Sequence, residues 1–170
     1  MVRRRRDQGR GLSESEIQDE NVDVAFMVWL TSRATADLLD KSLAPSGLTS
    51  DEFAIYSVLT SAPGVTPTEL SRWMAAPLTT VSSYIKRFES RGHVEREPHP
   101  DDRRSYRIKL TPAGRRAHRD AAALFTPLKE QIVEALGVRE PEVRDSLSTL
   151  RAILDEIRHP PTDDAGTAQA

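Results

Sequence analysis

The sequence predicts a mainly α fold carrying one small β-hairpin. Three observations carry that expectation. Helix formers such as Ala, Leu, Glu and Arg dominate, while aromatics make up only 5% of the residues, a balance that leans to helix. Apolar residues recur at helical spacing up to residue 91 and again beyond residue 111. Between those blocks the pattern alternates with period two, and Pro, Gly and hydroxyl residues punctuate the junctions.

Residues 1–12 (MVRRRRDQGRGL) are charged and Gly-containing and are expected to be disordered, as is the Pro-rich polar tail 159–170. A long helix is expected from near Ser13, where Ser13 and Glu16 have capping-box spacing, to about Leu43, where Pro45-Ser46-Gly47 stops it. A second helix opens at Thr49 with Glu52 as capping partner, carries Phe53, Ile55, Tyr56, Val58 and Leu59, and ends at Pro63-Gly64. A third has Thr66 as N-cap, Pro67 at the first helical position and Glu69 at the third, and is short, ending near Met74. Pro77 opens a fourth, through Val81, Tyr84, Ile85 and Phe88 to Gly92, a C-terminal cap.

His93–Arg96 then reads as a short strand, and residues 97–104 as a polar loop with two prolines and two aspartates. Residues Ser105–Leu110 alternate, with Tyr106, Ile108 and Leu110 on one face and Arg107 and Lys109 on the other. Thr111-Pro112 caps a helix through Leu124, Leu128, Ile132 and Leu136, interrupted by Gly137. Pro141 opens the last helix.

Charge distribution is more informative than the net charge of −2. From Thr66 to Arg119 twelve Lys and Arg face six Asp and Glu, while the rest of the chain holds twelve basic and twenty acidic residues. A polyanion-binding segment in an acidic scaffold has this form. Cysteine is absent, which excludes a disulfide framework, a thiolate metal site and a thiol redox sensor. His93, His99, His118 and His159 have no ligand-like spacing, so no metal is expected, and no cofactor. No Gly-rich phosphate loop or G-x-S-x-G elbow is present, so no enzymatic activity is expected. No run of 18 apolar residues points to a membrane span, and no apolar stretch follows the basic N-terminus to make a secretory signal, so the cytoplasm is the expected location.

The two short helices from Thr66 to Arg91 have the form of a helix-turn-helix. In DNA-binding versions the second helix lies in the major groove with its first turns on base edges. Here those turns carry Leu78, Thr79, Thr80, Ser82 and Ser83, with Lys86 and Arg87 farther along to reach the phosphate backbone. An ordinary helical hairpin with solvated hydroxyls is the alternative. The β-hairpin that follows is tipped by Asp101-Asp102-Arg103-Arg104 and would set Arg103 and Arg104 at an adjacent minor groove. Asp102 would hold an arginine fork or pin the loop backbone. Read alone, the same tip is a solvated turn of offset charges. The run Arg3–Arg6 is open to two readings, an arm on phosphates or a solvated tail.

Thr66-x-x-Glu69-Leu70, Thr80-Val81-Ser82, Phe88-Glu-Ser-Arg-Gly92-x-Val94, Asp102-Arg103-Arg104 and Leu110-Thr111-x-Ala-Gly114 follow one another in the order found in the MarR (multiple antibiotic resistance regulator) family. The stretch 48–114 resembles that family closely. The resemblance implies a winged helix-turn-helix regulator, a repressor that holds a pseudo-palindromic operator in double-stranded DNA as a homodimer. Thr66 and Thr68, at the start of the first reading helix, join the expected DNA contacts. It implies a division into a tail at 1–12, an N-terminal dimerisation helix at 13–47, the winged domain at 48–111, C-terminal dimerisation helices at 112–158 and a second tail at 159–170. Ile17, Leu124 and Leu128 then belong to the dimer interface, and so does the heptad-like stripe Val143, Leu147, Leu150, Leu154 and Ile157; packing of that stripe within its own subunit is the alternative. Half-sites would be spaced by roughly 10 bp.

The resemblance also implies a small aromatic or lipophilic effector between the dimer helices and the winged domain. Phe26, Trp29, Arg33 and Tyr56 are the residues expected to line it, unless they are plain core, with Arg33 placed for a ligand carboxylate. Three positions depart from the family: Ala75 stands where the turn usually has Gly, Ser83 where Arg is frequent, and Pro77-Leu78 where a polar pair is usual. A winged-helix module for protein–protein contact is the alternative function; it would lack the basic surface that Lys86, Arg87, Arg103 and Arg104 supply.

Overall fold

A computed structural model describes residues 22–100, 102 and 104–160. The Arg3–Arg6 run, the Ser13 cap, Ile17, Asp101, Arg103 and residues 161–170 lie outside the described residues. Along the chain come α1 (Val24–Leu43), α2 (Ser50–Ser61), α3 (Pro67–Met74), α4 (Leu78–Ser90), β1 (Val94–Pro98), β2 (Tyr106–Leu110), α5 (Pro112–Leu136) and α6 (Glu140–Arg158). Short 3₁₀ turns at Ala44–Ser46 and Gly137–Arg139 join α1 to α2 and α5 to α6.

Local chemistry sets the helix starts. Thr49 with Glu52 and Thr66 with Glu69 both close full capping boxes, and Thr111 accepts from the Gly114 N–H. The first helix is described from Val24, where Asp23 accepts from the Phe26 N–H at 2.9 Å, and not from Ser13. Pro77 stands at the N-cap of α4 without a side-chain cap, one position before its expected place. Gly92 has φ +68°. Its N–H donates to Glu89 O, and the His93 N–H donates to Phe88 O, the paired bonds that end a helix on a left-handed residue.

β1 and β2 form an antiparallel hairpin from Val94↔Leu110 to Pro98↔Tyr106. The first strand extends to Pro98, past its expected end at Arg96. Glu97 pairs opposite Arg107 and is ion-paired to Lys109, which prolongs the ladder; Pro98 is tolerated because β1 is an edge strand. Val65 adds a bridge to Ile108, which the alternation pattern did not foretell.

The core lies where α2, α3, α4 and the hairpin meet. Ile55, Tyr56, Leu59, Leu70, Val81, Ile85, Phe88, Ile108 and Leu110 are buried there. α1 and α2 pack against α5. α6 meets the chain mainly at the turn before it, with Arg151 lying over the Trp73 ring at 4.8 Å.

Candidate nucleic-acid interface

Burial of Val81, Ile85 and Phe88 fixes how α4 is turned. Thr79, Thr80, Ser83 and Lys86 therefore point to solvent with Leu78 at the leading end, and Ser82 is half-buried. The Ser83 hydroxyl donates to Thr79 O at 3.0 Å, which leaves its lone pairs outward.

Arg87 is held elsewhere. Its Nη1 donates to Glu52 Oε1 at 2.9 Å, and its guanidinium lies 5.2 Å from the Tyr84 ring centroid. Arg91 donates to Glu52 Oε2 at 3.1 Å. Glu52 is 1% exposed, and a carboxylate so buried requires charged partners. From sequence, Arg87 is expected at the DNA backbone and Glu52 in the cap of α2. Glu52 in fact does two jobs, because its Oε2 also accepts the Thr49 N–H. No local signal marks the second one.

Thr66 is occupied too. Its hydroxyl accepts from the Glu69 N–H and donates to Glu69 Oε2 at 2.9 Å. The Thr66 N–H and hydroxyl bonds hold the Glu69 carboxyl below its usual range. Thr68 is exposed beside it. The turn into α4 passes through Ala75 at φ +54°, the left-handed conformation that glycine adopts more cheaply.

At the hairpin tip Asp102 Oδ1 accepts from the Arg104 N–H at 2.9 Å, and Asp102 O accepts from the Ser105 N–H at 3.0 Å. Asp102 thus pins the loop backbone, one of the two roles considered for it. Arg104 is exposed. Arg96 grips Glu89 with Nε and Nη2 and lies 4.4 Å over the Tyr106 ring, which ties the hairpin to α4.

The four residues expected to line an effector pocket are not brought together. Tyr56 is sealed in the core, its hydroxyl 2.8 Å from His93 Nδ1 and its pKa pushed by burial to about 12. Phe26 and Trp29 stack at 5.7 Å on an exposed stripe of α1 that also carries Arg33. A cleft of about 700 Å³ opens on a different face of α1, between it, α2 and α6. Of the expected dimer residues, Leu124, Leu128, Val143 and Leu150 are half-buried, while Leu147, Leu154 and Ile157 are 54%, 44% and 70% exposed. Among the described residues no group of three or more His, Asp or Glu could hold a metal ion, and no helix is long and apolar enough to cross a membrane.

A helix-turn-helix whose second helix bares hydroxyls and a lysine, closed by an antiparallel hairpin pinned to that helix, defines a winged helix-turn-helix protein. Known proteins agree. The sequence model of the MarR family matches residues 46–105. The multiple antibiotic resistance protein MarR of Salmonella typhimurium is 28% identical over 102 residues, covering 60% of this chain and 71% of that protein. The HTH-type transcriptional regulator YdcH of Bacillus subtilis is 25% identical over 144 residues, 82% of this chain and 95% of its own length. Among solved structures, the Mycobacterium tuberculosis regulator MosR in complex with DNA superimposes with a TM-score of 0.69 at 25% identity, covering 81% of this chain and 99% of its own. Apo MarR from Escherichia coli gives 0.63 at 23% identity, covering 80% and 97%. Residues 46–105 thus match the MarR family of transcriptional regulators, and the chain has the fold of its solved members.

Proposed function

We propose that the protein is a repressor that binds a pseudo-palindromic operator in double-stranded DNA as a homodimer and is released by a small aromatic or lipophilic ligand. The observation that carries this reading is the outward face of α4, where Thr79, Thr80, Ser83 and Lys86 stand free of the core. Short hydroxyl side chains let a helix approach base edges closely, and Lys86 adds phosphate attraction. Arg104 is exposed in the loop of the hairpin, and Arg103 precedes it in the sequence. Arginine is favoured in a narrow minor groove by its negative potential. MosR, solved with DNA, supports the reading by likeness of fold. The exposed α6 stripe supports a second copy as partner, because an apolar face of that kind is costly in water.

Selection from random duplex DNA at stated salt supplies the operator. On that operator the paired variant Arg103→Ala with Arg104→Ala is expected to lose about 10- to 100-fold in affinity and to lower the salt slope by roughly two, with the dimer intact. Full affinity in the paired variant would count against the wing as a DNA contact.

A further inference from the structure

We propose that the cleft between α1, α2 and α6 receives a lipophilic organic cation paired to Asp51, and that its occupation is relayed to α4 through the hydrogen bond from Tyr84 to Asp51. The inference deepens the effector part of the reading above. Its consequence for DNA rests on that reading; binding at the cleft does not.

The cleft's volume of about 700 Å³ suits a small molecule. Met27, Val28 and Leu39 supply apolar wall on one side, Leu147 and Leu150 from the edge of the expected dimer stripe supply it on the other, and most of the polar lining is hydroxyl. Asp51 is the single charged side chain among the lining residues, and no Lys, Arg or His joins it. Asp40 adjoins the same end of the cleft, where its Oδ1 accepts from the Ser50 N–H at 2.6 Å. An aromatic carboxylate entering here would meet like charge with no cation to receive it, because Arg33 lies on the other stripe of α1. A neutral ligand would strip water from Asp51 and leave the Tyr84 hydroxyl to offset only part of that cost. An apolar cation satisfies both the walls and the carboxylate.

The relay is a single bond. Tyr84 Oη donates to Asp51 Oδ2 at 2.9 Å. Burial first, and then Asp51, push the Tyr84 phenol up, so it keeps its proton and donates at neutral pH. Tyr84 belongs to α4, its ring stacks on Phe88 at 6.0 Å, and its neighbour Ser83 is on the outward face. A cation drawn to Asp51 competes for the oxygen that holds Tyr84. The ligand thereby favours a different setting of α4, and only such differential binding shifts the equilibrium between states.

Tetraphenylphosphonium and tetraphenylborate have the same shape and opposite charge, and calorimetric titration of the full chain separates the possibilities. The phosphonium is expected to bind at least about tenfold more tightly than the borate. Asp51→Asn is expected to erase that preference, and so is Ala54→Arg, which sets a cation one helical turn from Asp51 at an exposed position. The phosphonium should also weaken binding to the selected duplex, with a smaller effect in Tyr84→Phe. Equal or tighter borate binding, a preference untouched by both variants, or no binding of either ion because a second copy fills the cleft would overturn the proposal. Phosphonium binding without any change in duplex affinity would overturn the relay. A chain that binds no duplex would defeat the repressor reading, while the titration would still decide the site.

Discussion

A methyl group at Gly114 would stand 2.0 Å from the carbonyl oxygen of His93. The first turn of α5 sits that close because Thr111 is bonded twice to the end of α4. Its N–H donates to His93 O at 3.0 Å and its hydroxyl to Gly92 O at 2.7 Å. The clash partner is backbone, so no side chain can swing aside. Gly114→Ala is therefore expected to cost about 2–4 kcal/mol, read as a lowered midpoint in urea with an unchanged slope. A variant as stable as the parent would show that α5 can move off the hairpin base freely. Ala75 is the opposite case, an alanine in a conformation where glycine would be cheaper. Glu52 illustrates a third constraint: its two arginines join α2 to α4, and loss of one partner would leave buried charge behind.

At the scale of elements, α2 is stitched to α5 by His118. Its Nε2 lies 3.0 Å from Ser57 Oγ, its Nδ1 3.1 Å from Thr60 Oγ1, and its ring stacks on Phe53 at 5.4 Å. Burial holds the His118 imidazole below its ordinary value of 6.5. His93, between α4 and β1, is lowered in the same direction, first by burial and then by Arg91. The unfolded chain therefore takes up these protons at a higher pH than the folded one. Stability is expected to be level above about pH 7 and to fall as pH drops through 6.5 and then through the lowered folded values. Thermal midpoints measured between about pH 8 and about pH 5 test this, and His118→Gln should flatten the slope. A midpoint that rises on acidification would contradict the assigned direction.

At the scale of the molecule, α6 has little cover from the other described residues. Leu154 and Ile157 project from it at 44% and 70% exposure, and few other elements touch it. Under the proposed homodimer this stripe meets a second copy, so Leu154→Asp with Ile157→Asp is expected to give monomers by sedimentation. Two reading heads that share one operator gain from linkage, so the same variant should lose about 100-fold or more in operator affinity. A persisting dimer would place the interface elsewhere on the chain.

The order of the elements was legible in the residues because it rests on short-range rules. Thr49 with Glu52, Thr66-Pro67 with Glu69, Gly92, and the alternation Tyr106-Ile108-Leu110 each act within a few positions. The family motifs were legible on the same grounds, and the hydroxyl face of α4 followed once Val81, Ile85 and Phe88 were read as its inner side. Other features depended on residues far apart in the chain. The pairing of Glu52 with Arg87 and Arg91 spans 35 and 39 positions, the approach of Tyr56 to His93 spans 37, and that of Tyr84 to Asp51 spans 33. Helical periodicity says that a face of α1 is apolar, but only packing decided that Met27 and Val28 line the cleft while Phe26 and Trp29 face away. Spacing rules carry no information on which distant segment arrives opposite a given side chain; that is set by how the helices close around the common core.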